Sequence, residues 1–381
     1  MAHFVEDSYS VASGKTAHVG RFVAPTLPAW LDGVAPHQLK TISGTAPSSA
    51  AGLVPAVSGS MGNQADMVNA WDGAFRHGTK FCIHGGGHDG YGGNEIGGTD
   101  LADDSPSWDL LIERTLAANV LGGSNYYADG MPTSRHTYYA MFVANIDGQD
   151  KFLRLNGNMG FAYNGAPFGG SADIRTTAID AFTMEGREWE PGEYGPMPRI
   201  TGSETAAAQH PETGNIYVWD TDNRISVFNV TTKTASDVVD LSGTEGQGAA
   251  LVVDAVNNRL VRFAGRASGG VVYYPLGGGS KTTATLSGSG ASALASAMSG
   301  TQPGWGRAHD TTRNVVYLYT NASTIFRVDL SDFSVTQVTP TGDSLHTPTN
   351  NWWGRVQYVP ALDVVISLAT WTSSLQALRC A

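Results

Sequence analysis

Phe81-Cys-Ile-His-Gly-Gly-Gly-His-Asp-Gly-Tyr-Gly-Gly-Asn-Glu95, followed by Asp100-Leu101 and Trp108, is the stretch that decides the fold. Phe81 to His84 reads as a short apolar strand. The glycines that follow permit positive φ and close backbone approach, so they read as a turn. A second strand then ends at Asp100-Leu101, and Trp108 adds an aromatic seven residues on. Strand, glycine turn, strand, aromatic is a unit that cannot bury both faces alone. It implies neighbours of the same kind along the chain.

The clearest repeat lies near the C-terminus. Trp305-Gly-Arg307-Ala-His-Asp-Thr-Thr-Arg-Asn-Val-Val-Tyr317 aligns without gaps to Trp353-Gly-Arg355-Val-Gln-Tyr-Val-Pro-Ala-Leu-Asp-Val-Val365, 48 residues later. Weaker copies of strand, polar turn, strand start near residues 68, 134, 204 and 248. With the starts near 305 and 353 this makes six units. Seven is the alternative, with irregular strands in 156–172 or 277–299. The last unit has room for about three strands before the chain ends, and an open edge would invite wrong pairing. Pro36-His-Gln-Leu-Lys-Thr-Ile-Ser43 can supply the missing outer strand. The expected architecture is therefore all-β: a β-propeller over 36–381, closed by an N-terminal strand, with residues 1–35 as an extended N-terminal arm. Gly277 to Gly300, rich in Gly, Ser, Ala and Thr, reads as a long loop or a poorly formed strand.

These units resemble kelch repeats, the blades of one class of β-propeller. Propeller ligands bind at a mouth of the central channel, so equivalent blade positions should converge there. The residues placed near the mouth are Trp71, Asp72, Tyr91, Arg135, His136, Tyr138, Thr205, Arg307, His309, Trp353 and Arg355. Arginines at matching blade starts suit a mouth that grips a carboxylate or sulfate through the guanidinium fork, with sugar rings on Trp and Tyr. The alternative is that each arginine bonds to blade carbonyls and ties the blades together.

Composition narrows the partners. Of 381 residues only 15% are charged, and the net charge is −11. Nucleic acid needs clustered Lys and Arg to neutralise phosphate, and the 23 basic residues form no run. Neither nucleic acid nor a membrane is an expected partner. No apolar run approaches a spanning length, and Met1-Ala-His-Phe-Val-Glu-Asp-Ser8 has no basic-then-apolar leader pattern. Two cysteines, Cys82 and Cys380, make no disulfide framework. They fall in the first and last units, which a closed ring makes neighbours, so a closing disulfide and two separate thiols are both open.

Cofactor and metal patterns are missing. The glycine turn lacks the Lys followed by Ser or Thr of a phosphate loop. His84, His88 and Asp89 flank a triple glycine without a third rigid ligand, so no metal is expected. Galactose oxidase also has kelch blades, but its copper pattern is not matched here, and no cofactor is expected.

Kelch-like propellers also occur among phage and prophage products. That resemblance implies a virion-associated structural or adhesion protein, made in the cytoplasm and carried on the particle. Its propeller would bind a host-surface glycan or a neighbouring virion protein, and its arm could join copies into an oligomer. The chain is also similar, in fold and residue types, to propeller polysaccharide lyases such as the ulvan lyases. That implies β-elimination on a uronic-acid glycan, with His88, Arg135, His136 and Tyr138 as the catalytic set. Trp71, Tyr91, Arg307, His309, Trp353 and Arg355 would then bind the ligand. The third reading is an intracellular interaction scaffold.

Overall fold

The computed structural model describes residues 3–10, 16–23, 27–50, 53, 62–86, 91–120, 126–135, 137–155, 179–197, 206–220, 222–241, 248–265, 268–299, 304–320 and 324–380. It is a six-bladed all-β propeller. Each of blades one to five is an antiparallel sheet whose strands follow chain order outward from the axis. The innermost strands are Ala74–His77, Met141–Ile146, Ala206–Gln209, Ala250–Asp254, Gly306–Asp310 and Val356–Val359 for blades one to six. They are the strands through which neighbouring blades touch near the axis.

The sixth blade is built as the sequence implies. Val356–Val359, Val364–Ser367 and Gln376–Arg379 come from the end of the chain, and Gln38–Thr41 pairs antiparallel to Gln376–Arg379 as the fourth strand. Thr341–Gly342 adds a short parallel fifth strand. Closure removes the edge that a three-stranded last blade would present.

Local sequence explains the strands. In blade five the inner strand alternates: Gly306, Ala308 and Asp310 are buried, while Arg307 and His309 are partly exposed toward the channel. This is the period of two that strand geometry imposes. The next strand, Val315-Val-Tyr-Leu-Tyr319, is buried throughout because neighbouring blades cover both its faces. The hairpins after the inner strands of blades four, five and six each hold one residue with positive φ: Asn258 (51°), Asn314 (55°) and Asp363 (53°). Asn and Asp accept that conformation more readily than other side chains.

The same turns weld blades together. Asp254 accepts from Arg259 Nε (2.9 Å) in its own blade and from Asn314 Nδ2 (3.0 Å) in the next. Arg313 in turn bridges Asp310 and Asp363, at 2.7 Å to each. Six clusters of buried apolar side chains fill the spaces between adjacent blades.

One expectation changes. Within 277–299 the chain forms a short strand, Thr282–Thr283, and a helix, Ala291–Met298. Alanine is the strongest helix former, and Leu294 and Met298, four residues apart, bury one face in the cluster between blades four and five. In the N-terminal arm, His3–Ser10 pairs with Thr16–Val23 as a hairpin, and Ala29–Leu31 forms a 3₁₀ turn. A bare extended arm leaves its backbone groups to water, whereas a hairpin pairs them internally. After it, Trp30 Nε1 donates to Leu101 O (3.0 Å), tying this region to blade one. Cys82 and Cys380 are both buried free thiols. Cys82 packs between blades one and two and Cys380 between blades five and six. No helix among the described residues is long and apolar enough to cross a membrane.

Candidate functional site

The two ends of the channel differ. At the starts of the inner strands, side chains from non-adjacent blades meet across the axis. Tyr139, leading into blade two, donates its hydroxyl to Trp305 O before blade five (2.6 Å). Arg307 of blade five lies over the Tyr139 ring at 5.2 Å and donates to Ala207 O of blade three. Trp353, before blade six, packs edge-on against Tyr138 (4.7 Å) and Tyr139 (5.6 Å). Neighbour-to-neighbour packing alone would not produce these contacts. They bridge the channel.

Backbone fit makes the bridge tight. A Cβ on Gly73 would lie 2.0 Å from Tyr138 O. Tyr138 and Trp353 both hold positive φ, at 46° and 47°, unusual for bulky residues and imposed by the packing around them.

Most of the blade-start residues are therefore enclosed. Arg355 is fully buried. It donates to the carbonyl oxygens of Trp352 (3.3 Å), Ala369 (2.8 Å), Thr349 (3.1 Å) and Asn351. Burial pulls its pKa down to about 9, with Asp72 acting in the opposite direction. Arg307 is likewise lowered to about 10 by burial. Trp353 is also fully buried and donates its ring N–H to Asn350 O (2.7 Å). Arg307 and Arg355 match in a gapless alignment but differ in placement. Arg307 lies within its strand, whereas Arg355 closes a 3₁₀ turn, Trp353–Arg355, that tucks it beneath the chain. Trp71, at φ 60°, packs against the Tyr138–Tyr139 cluster.

Beneath the glycine turn lies a buried polar network that the sequence reading only partly located. His84 Nδ1–H donates to Glu95 O (3.0 Å), which leaves Nε2 to accept from Arg154 Nη1 (3.3 Å). Arg154 pairs with Asp180 at 2.6 Å, both side chains fully enclosed. Tyr91 donates to Glu95 Oε1 (2.5 Å) and accepts from Arg114 Nη1 (2.9 Å). Burial raises the pKa of both Tyr91 and Glu95. Arg135 is buried nearby, lowered to about 10 by burial and then by the Arg154 charge. Gly85 is needed here: its φ is +113°, and a Cβ would sit 2.9 Å from both Arg135 O and Asp72 Oδ1. His88 and His136 lie outside the described residues, as does Thr205. A charge inside an apolar strand run was the available signal for this network: Lys-Phe-Leu-Arg154 and Ile-Asp180-Ala-Phe both carry it.

His84 has a measurable consequence. Burial, then the Arg154 charge, lowers its pKa from 6.5 to about 3. The unfolded chain thus binds a proton that the folded chain refuses, and stability must fall as pH drops below 6.5 toward 3. Denaturant titrations at neutral and acid pH should show a smaller acid loss for His84→Asn than for the parent. Parallel losses would refute this assignment.

The opposite end of the channel is open. A cavity of about 470 Å³ lies at the C-terminal ends of the inner strands, with Arg76, Asn145, Gln209, His309 and Tyr358 in its wall. A smaller space of about 170 Å³ continues inward past Arg307 and Val252. His309, expected at the blade-start mouth, belongs here. Its Nε2 meets Asn314 Oδ1 (3.3 Å), and burial lowers its pKa. Asp310, Asp363 and Cys380 form an acidic trio with metal-like spacing. Arg313 already lies between the two carboxylates.

No family model matches the chain, and no curated protein matches it. Among solved structures, a protein of unknown function from Bacteroides thetaiotaomicron is similar over 90% of this chain and 75% of its own, at 12% identity and a TM-score of 0.52. An auxiliary nutrient binding protein from Bacteroides ovatus aligns at a TM-score of 0.44 and 11% identity, over 79% of this chain and 66% of its own. The first likeness concerns fold alone, and it agrees with what the strands define here: a six-bladed β-propeller.

Proposed function

We infer that the chain is a kelch-like adhesion propeller, a non-catalytic protein carried on a phage particle that binds a host-surface glycan. The observation that carries this reading is the enclosure of Arg355 by four backbone carbonyls. β-Elimination needs a free cation to neutralise the uronate carboxylate and a base at the adjacent carbon. Here the blade-start arginines brace the fold, and the aromatic residues beside them bridge the channel. That favours a rigid binding disc over a lyase. The connections at the blade-start end, which carry His88 and His136, are the proposed contact face. The virion setting follows the kelch resemblance to phage products.

The test exposes the purified protein to immobilised acidic and neutral polysaccharides while following ultraviolet absorbance for unsaturated uronate. Retention on a glycan without product, together with detection of the chain in purified particles, is the expected result. Product formation that disappears in His136→Ala would make the protein a lyase instead. Retention on no glycan, with capture by a particle protein, would move the contact to a virion partner.

A further inference from the structure

The open end of the channel holds a cation without a counter-charge. Arg76 lies in the inner strand of blade one and lines both the outer cavity and its inward continuation. Its Nη1 donates to Gly78 O (2.6 Å), in the adjoining turn. No ion pair reaches it among the described residues, and burial depresses its pKa. Among the described residues, the only carboxylate in the cavity wall is Glu212, which is exposed at the rim. Leaving a guanidinium partly buried and unmatched costs stability that an apolar residue would not. The remaining wall mixes apolar surface from Val143, Ala144, Pro211 and Pro360 with polar groups: Asn145, Gln209, Thr311, the Tyr358 hydroxyl, and the imidazoles of His210 and His309. Its volume is within the usual range for small-molecule sites, about 300–1,000 Å³.

We propose that this cavity is a binding site for a small hydroxylated carboxylic acid of the sugar-acid class, with Arg76 gripping the carboxylate. Charge count selects the ligand. His309 donates from Nε2 to Asn314, and burial lowers the pKa of both His309 and His210, so Arg76 is the fixed positive charge of the wall, which suits a monoanion over a phosphate dianion. Asn145 Nδ2, Gln209 Nε2 and the Tyr358 hydroxyl already donate within the fold, to Asp150, to Val143 O and Gly214 O, and to Asp363, so what they offer a ligand is oxygen acceptors, which suit the O–H donors of a sugar acid and which an apolar acid would not satisfy. The contact face proposed for adhesion is at the other end of the channel, so either idea can fail without the other.

Calorimetric titration of the whole protein with sodium glucuronate, glucose and inorganic phosphate tests this. Glucuronate should bind saturably, glucose should not, and phosphate should compete poorly. Arg76→Gln should weaken glucuronate by about tenfold to a hundredfold, the usual worth of a charge-assisted hydrogen bond. Its thermal midpoint should be kept or raised, since an unmatched buried charge is gone. If Arg76→Gln instead melts early, Glu212→Gln decides: removing the rim charge should tighten glucuronate. Absent glucuronate binding, equal binding of glucose, preference for phosphate, unchanged affinity in Arg76→Gln, or no tightening in Glu212→Gln would each overturn the assignment.

Discussion

Asp180→Ala should cost about 3–5 kcal/mol of stability, because it strands the Arg154 guanidinium in the interior of blade two. Both side chains of the pair are fully enclosed, and they meet at 2.6 Å. Asp180 also accepts from Gly192 N (2.9 Å), so its loss leaves a backbone donor unmatched as well. Arg154 retains only Thr133 O, the bare nitrogen of His84 and the face of Trp189 at 5.7 Å. None of these carries a negative charge. The double variant Arg154→Met/Asp180→Ala removes the stranded cation and should be more stable than the single one. Equilibrium unfolding in denaturant measures both. A single variant within about 1 kcal/mol of the parent would mean that water reaches the guanidinium, and the pair would not be structural.

Arg355→Met is the second large effect. The change keeps an apolar stem but removes the donors for the carbonyls of Thr349, Asn351 and Ala369, while Trp352 O keeps the backbone N–H of residue 355 (3.0 Å). Each oxygen left dry costs about 1–3 kcal/mol, so the three together should cost about 3 kcal/mol or more, at or beyond the upper range of most point changes. Arg355→Lys should recover less than half of the loss, because an ammonium is a point donor and cannot serve oxygens spread around a planar fork. Arg307→Met should cost far less, since Arg307 serves the single carbonyl of Ala207 and stacks on Tyr139. Thermal midpoints of the three variants check the ranking. A mild Arg355→Met would reopen that arginine as a ligand-binding group.

Architecture was legible where it repeats. The 48-residue offset between Trp305 and Trp353 and the spare segment Pro36–Ser43 are properties of the chain itself, and both map onto the sixth blade and its neighbour. The helix Ala291–Met298 was obscured because surrounding Gly and Ser dilute its four-residue apolar spacing. Site geometry was less legible, for a physical reason. Contacts such as Tyr139 to Trp305 join residues 166 apart, and only ring closure brings them together. Alignment put Arg307 and Arg355 in one class, yet a single 3₁₀ turn gives them different surroundings. Arg76 lies in a short strand, Ala-Phe-Arg-His, with no alternation to mark its place: the first two residues are buried and the last two half-buried.

The closing strand also sets a schedule. Thr41 leaves the ribosome 335 residues ahead of Gln376, its partner in the last blade. At the usual ~5–20 residues per second, that interval is roughly 20–70 s. Throughout it, Gln38–Thr41 has no sheet to join, and the lysine at position 40 discourages pairing with a neighbouring nascent chain. Blades can form one by one during synthesis, but the seam is sealed only after Gln376–Arg379 has been made. The joint that makes the ring continuous is thus the youngest contact in every molecule.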